Sequence, residues 1–141
     1  MNLLGTIRGI VVRGLGIAGR NLGFPTANIL PNMIVGIPDG VYAGCMTVDD
    51  KTYNAAICVG ADGNKKIEAH LLDFAGDILG EVVELNVIER VSNLVPWESA
   101  EQMKKKITDD VAKVTQLLHR RTRSQARTRG RPSSQPAQWF L

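Results

Sequence analysis

At 141 residues, with 17 basic and 14 acidic side chains, the chain has room for one compact domain with a real core and none for a second catalytic domain. Fourteen glycines against 22% charged residues mark a turn-rich globular protein rather than a disordered one, and no apolar run approaches the ~20 residues of a membrane span. Arg8, Arg13 and Arg20 interrupt what would be the apolar region of a signal peptide, so a cytoplasmic protein is expected, with Cys45 and Cys58 as buried, reduced thiols.

The first predicted strand, Leu4 to Val12, is rich in β-branched residues and leads straight into RGLGIAGRNLGFPTAN, Arg13 to Asn28. Gly14, Gly16, Gly19 and Gly23 leave no side chain in the way of an anion approaching their backbone N–H groups. Pro25 fixes the local backbone and restricts Phe24, which holds Thr26, Ala27 and Asn28 extended; the Thr26 hydroxyl and the Asn28 amide, two residues apart, then share a face. A phosphate-cradling loop followed by two neutral oxygen ligands is a seat for a magnesium nucleotide, and the competing reading is a Gly-rich turn between two strands. Gly14 to Gly19 fits G-x-G-x-x-G, but Phe24-Pro25 comes too soon for the helix a dinucleotide fold requires, and no Gly-Lys-Ser/Thr completes a P-loop.

Asp39-Gly40 turns into a strand from Gly40 to Val48, Asp49-Asp50-Lys51 reverses it, and Tyr53 to Val59 returns as its hairpin partner. Asp62-Gly63-Asn64 turns again. Ile67 to Phe74 and Glu81 to Ile88 are two more strands, flanking Ala75-Gly76-Asp77. In the first of these, Glu68, His70 and Leu72 share one face, and Ile67, Ala69, Leu71 and Asp73 the other. A Glu and a His side by side on an apolar strand are either functional or simply its wet side. Short strands at regular spacing predict a mainly β, closed or nearly closed antiparallel barrel. Pro96, Ser99 and Gln102 then open a helix whose stripe of Met103, Ile107, Val111, Val114 and Leu118 packs on the barrel, with Lys104, Lys105, Lys106 and Lys113 as a solvated face.

From His119 to Leu141 there are six arginines and no acid, so residues 1–118 carry a net charge of −3 and the positive charge belongs to the tail. The tail, residues 119–141, is rich in Ser, Gln and Pro and reads as disordered beyond the helix. Its arginines offer nucleic-acid contact through phosphates as a minor reading against plain solvation.

The segment Gly19-Arg20-Asn21-Leu22-Gly23-Phe24-Pro25-Thr26-Ala27-Asn28 resembles the signature of the ATP-dependent riboflavin kinases of bacteria and eukaryotes. Gly40-Val41-Tyr42-Ala43 looks like that family's next strand start, and Glu68-Ala69-His70-Leu71-Leu72-Asp73-Phe74 like its E-x-H-L-L-D-F strand. The likeness covers residues 1–118 as one unit and implies a six-stranded antiparallel, Greek-key-like closed barrel with one C-terminal helix. It further implies Mg²⁺ held by Thr26 and Asn28, and ATP held by Gly14, Gly16, Gly19, Arg20, Gly23, Thr26 and His70. Glu68 would be the catalytic carboxylate that takes the proton of the riboflavin 5′-hydroxyl as FMN forms. Riboflavin and ATP are thus the expected partners, for a monomer with no membrane contact.

Some positions depart from the family pattern. Ala61-Asp62-Gly63-Asn64 replaces a longer insert, and Leu79 stands where relatives often carry a Tyr before Gly80. A family arginine falls on Ser92, with Arg90 two residues earlier on what should be the same strand face; both are candidate flavin contacts. These departures motivate an alternative, a catalytically weakened flavin- or nucleotide-binding barrel acting as a sensor or carrier. If the chain is complete, it carries no adenylyltransferase domain and is expected to make FMN and not FAD.

Overall fold

The computed structural model describes residues 3–13, 23–60 and 66–129. Strands β1 (Gly5–Val12), β2 (Ala27–Pro31), β3 (Gly40–Val48), β4 (Lys51–Val59), β5 (Ile67–Leu71) and β6 (Val82–Ser92) precede one helix, α1 (Ala100–Arg129). All pairings are antiparallel, and the order β1-β2-β5-β4-β3-β6 closes on itself. Within it β6-β3-β4-β5 is a Greek key. The mainly β, six-stranded closed barrel with a C-terminal helix expected from the sequence is the fold the chain adopts.

The turns account for the strand limits. Asp49 and Asp50 both take positive φ, 51° and 65°, the backbone of a two-residue hairpin turn matched to strand twist; Lys51 is therefore already in β4 rather than in the turn. Asp73, at φ 55°, turns the chain after Leu71, so β5 stops short of Phe74. Strand β6 runs on past Ile88 to Ser92 because its second half pairs with β3.

Strand alternation sorts the side chains. Ile7, Ile29, Tyr42, Met46, Ile57, Ile67 and Leu85 fill the barrel interior, so among the described residues the barrel is a packed core. The outer face of β3 and β4 presents Ala43 and Ala56, whose small side chains let α1 approach and bury Val114, Leu117 and Leu118. Ser99 caps the helix: its carbonyl accepts from the Met103 N–H at 3.0 Å and its hydroxyl oxygen from the Gln102 N–H at 3.1 Å. The helix expected to end near Leu118 continues to Arg129; residues 130–141 of the tail lie outside the described residues.

Gly44, at the centre of β3, lies opposite Val87 of β6. A Cβ there would run into the Asn86 carbonyl and come within 2.8 Å of the Ile57 side chain. Gly44→Ala is expected to destabilise the barrel by about 1–3 kcal/mol, the range typical of overpacking. Urea unfolding followed by circular dichroism reads this directly, and an unchanged midpoint would contradict the described β3–β6 approach.

Candidate functional site

The pairing of β2 with β5 builds the site. Ala27 lies opposite Ala69, Asn28 opposite Glu68 and Ile29 opposite Ile67. Ile29, Ile67 and Ala69 point into the core, so Asn28 and Glu68 stand together on the outer wall, flanked by Thr26 and His70. Glu68 and His70 thus do share a face, as the alternation in the strand predicts. That face is neither core nor open solvent: it lies under α1.

Three contacts pin the segment before β2 onto β5. The Thr26 hydroxyl donates to Glu68 Oε1 at 3.1 Å. His70 Nδ1 lies 2.7 Å from the Pro25 carbonyl oxygen, which can only accept, so Nδ1 carries a proton. The Phe24 ring meets the His70 ring edge-on at 5.6 Å. Gly23, at φ 80°, makes the turn that delivers Phe24 to this position.

Two cavities meet at this seam. The larger, about 1120 Å³, is bordered by Arg13, Asn28, Asp73, Asp77, Thr115 and His119. The smaller, about 250 Å³, is mostly apolar, with Phe24, Val41, Leu94, Trp97, Met103 and Ile107 around Glu68. Thr26 and His70 line both; Asn28 borders only the larger and Glu68 only the smaller. The stripe of α1 is therefore divided: Val114 and Leu118 pack on the barrel, whereas Met103 and Ile107 roof the smaller cavity.

The oxygen donors suit a hard divalent cation. Asn28 is 7% exposed, and its Oδ1 is buried with no hydrogen-bond partner among the described residues. A buried amide oxygen left in this way is costly unless something occupies it. With the Thr26 hydroxyl two residues away on the same face, the neutral oxygen pair that Mg²⁺ accepts is present.

The structure does not bring Arg90 to this place. Its guanidinium donates to the Asp39 carbonyl at 2.8 Å, to the Tyr42 hydroxyl at 3.1 Å and to Asn93 Oδ1 at 2.6 Å, and it stacks 5.6 Å over the Tyr42 ring. It borders a separate groove beside Ile34 and Ile37. The cause is a register shift: Ser92 pairs with Val41, but Arg90 with Tyr42. Val41 and Tyr42 face opposite sides of β3, so the bulge separates two residues that a regular strand would align.

Ser92 faces the site side but is engaged with α1. Its hydroxyl donates to Asp110 Oδ1 at 2.8 Å and accepts from Lys106 Nζ at 2.8 Å, while Lys106 also pairs with the Asp110 carboxylate. Lys106 is only 21% exposed, which corrects its place in the solvated face; Lys104, Lys105 and Lys113 are exposed as expected. Lys106 and Asp110 both border the smaller cavity and are the site residues that the sequence reading misses. The signal was there: each follows a member of the apolar stripe, Met103 or Ile107, by three residues. Leu79 borders the larger cavity. Gly14, Gly16, Gly19, Arg20 and the loop 61–64 lie outside the described residues.

Comparison with known proteins identifies the family. Residues 3–118 match the flavokinase family, described as riboflavin kinase. The chain is 34% identical over 112 residues to the RNA-binding riboflavin kinase RibR of Bacillus subtilis, covering 75% of this chain and 48% of that protein. It is 26% identical over 122 residues to human riboflavin kinase, covering 79% of each. The crystal structure of riboflavin kinase from Trypanosoma brucei superposes with a TM-score of 0.60 at 25% identity, over 92% of this chain and 91% of that one. The chain thus spans about half the length of RibR, 48%, and as little as 16% of a larger multifunctional relative.

Cys58 is the cross-strand neighbour of Glu68 on the cavity wall. Burial, with the Glu68 carboxylate adding to it, pushes its thiol up to about 12, and burial likewise raises Cys45. A thiol pKa raised by folding stabilises the native state fully below the unfolded value of roughly 8.5, and the stabilisation is lost as pH rises from there toward 12. Two outcomes are expected. Cys58 should react with a small aromatic disulfide at pH 8 at least about 100-fold more slowly in the native chain than in urea. The unfolding midpoint should fall above pH ~8.5, less steeply in Cys58→Ala. Native labelling as fast as unfolded labelling would show that Cys58 is not enclosed.

Proposed function

Because the chain belongs to the flavokinase family, the riboflavin kinases, we propose that it transfers the γ-phosphoryl group of ATP to the 5′-hydroxyl of riboflavin, giving FMN and ADP. The observation that carries this reading is the Thr26–Glu68 hydrogen bond of 3.1 Å at the seam between a large polar cavity and a small apolar one. The larger cavity, with Arg13 and His119 on its border, suits a triphosphate. The smaller suits the flat apolar ring of a flavin.

In this arrangement the ribityl chain reaches the seam from the apolar side and its terminal hydroxyl meets Glu68. Glu68 takes the hydroxyl proton as the oxygen attacks the γ-phosphorus; the new O–P bond forms while the bond from the γ-phosphorus to the β–γ bridging oxygen breaks, and ADP leaves with that oxygen. The Thr26 hydroxyl holds the Glu68 carboxylate in the free protein. Thr26 and Asn28 would hold Mg²⁺, which offsets phosphate charge when bound. Nε2 of His70, whose ring is fixed by Pro25 and Phe24, faces the nucleotide. The proposal includes Gly14, Gly16, Gly19 and Gly23 as the backbone cover of the phosphates and Arg20 as a counter-charge. It also includes action as a monomer in the cytoplasm, where Cys45 and Cys58, free in the structure, stay reduced.

The test is formation of FMN from riboflavin and Mg-ATP by the purified chain, read by chromatography with flavin fluorescence. Glu68→Gln is expected to lower kcat by about 10²- to 10⁴-fold, the usual contribution of a general base, with the unfolding midpoint little changed. Wild-type chain that binds riboflavin but forms no FMN would replace this reading with that of a flavin-binding sensor or carrier. A Glu68→Gln enzyme of full activity would remove Glu68 from the chemistry.

A further inference from the structure

Lys106 is an unusual cation. Its side chain is largely enclosed, at 21% exposure, in the wall of the smaller, mostly apolar cavity. Enclosing charge there is unfavourable unless the charge is fully engaged. Its partner Asp110 is: one carboxylate oxygen accepts from Ser92 and the other from Lys106. Lys106 is not. Of its three N–H donors one goes to Ser92 Oγ at 2.8 Å and one to Asp110, and the third has no partner among the described residues.

The position of that donor is defined by the barrel. Glu68 pairs with Cys58, Cys58 with Val41, and Val41 with Ser92, so these four form one row across four strands on the outer wall. Three strand spacings separate Glu68 from the Ser92–Lys106 end by roughly 14 Å. The floor between them is a neutral thiol and a valine, with little to orient a ligand. A molecule whose hydroxyl sits at Glu68 and whose flat, acceptor-bearing ring lies over this floor would bring its ring edge to Lys106.

We propose that Lys106 is the specificity-determining contact for the phosphoryl acceptor, donating its third N–H to a ring carbonyl or ring nitrogen of the flavin. This inference rests on the kinase reading of the same site. Ser92 and Asp110 act as positioning residues: they hold the ammonium in place and do not themselves touch the ligand.

Riboflavin binding to the full chain, followed by quenching of flavin fluorescence, tests this apart from turnover. Lys106→Met should weaken riboflavin binding and raise KM for riboflavin about tenfold or more, as loss of a charge-assisted hydrogen bond does. KM for ATP should stay as in the wild type, and Lys106→Arg should recover part of the loss. The double variant Lys106→Met/Asp110→Asn leaves no unpaired buried charge, so it carries the comparison should the single variant not fold. Under the proposal it binds riboflavin as poorly as Lys106→Met. Wild-type affinity in Lys106→Met, or restored affinity in the double variant, would show that the lysine serves only to neutralise Asp110. If the wild-type chain binds no riboflavin, the kinase reading itself fails, and this inference with it.

Discussion

The fastening of Phe24, Pro25 and Thr26 to β5 is the constraint from which the site follows. Strand β2 begins only at Ala27, so the three residues before it would be free to leave the wall if nothing held them. Each is held by a different kind of contact: Phe24 edge-on to the His70 ring, the Pro25 carbonyl to His70 Nδ1, and the Thr26 hydroxyl to Glu68. Proline contributes twice, because it fixes φ and because its carbonyl accepts the hydrogen bond that decides the histidine tautomer. A chain entering β2 at another angle would place Thr26 away from Glu68 and undo the seam at which the two cavities meet.

Placing the site on the outer wall is a consequence of how small barrels fill. With six strands, the described inward side chains pack together around the axis, and the smaller cavity lies on the outer wall. An outer wall alone is flat. Concavity comes from α1, which is drawn onto the wall at Ala43 and Ala56 by Val114 and Leu118 and stands off it where Met103 and Ile107 project. One amphipathic stripe therefore does two things along its length: its C-terminal half is cohesion, and its N-terminal half is the roof of a binding cavity.

What the sequence made legible follows periodicity and rigid residues. The period of two in Ile67 to Leu71 places Glu68 and His70 on one face, and the rigid Pro25 places Thr26 and Asn28 together; both arrangements are found. What it did not make legible depends on a break in the period. The shift in the β3–β6 ladder cannot be read from Arg90-Val91-Ser92, which contains no glycine or proline to mark a bulge. With that bulge, Arg90 turns to Tyr42 and Ser92 to Asp110, so a two-residue offset in sequence becomes a change of face. Lys106 escaped for a related reason: in a helix, a lysine beside the apolar stripe can reach water or a buried carboxylate, and only the position of Ser92 across the gap decides which. The end of α1 was misplaced because Ser, Thr and Arg continue a helix without extending its apolar stripe.

The two cations of β6 and α1 explain one another. Arg90 fastens the segment from Asp39 to Tyr42, and it lies so close to Gly40 that any side chain there would strike the guanidinium. Having that task, it is unavailable to the cavity, and the positive charge beside Ser92 has to come from the helix instead. The consequence is a division of labour between elements. Glu68, Thr26 and Asn28, the groups suited to the chemistry, are fixed to paired strands whose hydrogen-bonded ladders allow little movement. Lys106, Met103 and Ile107, the groups suited to recognition, ride on a helix attached through Val114, Leu117 and Leu118 and through the bonds of Lys106 and Asp110 to Ser92. Under the proposed function, a perturbation that shifts α1 should therefore act first on how well the acceptor is held and only afterwards on how fast a correctly held acceptor reacts, because the helix lines the cavity and takes part in no strand pairing of the barrel.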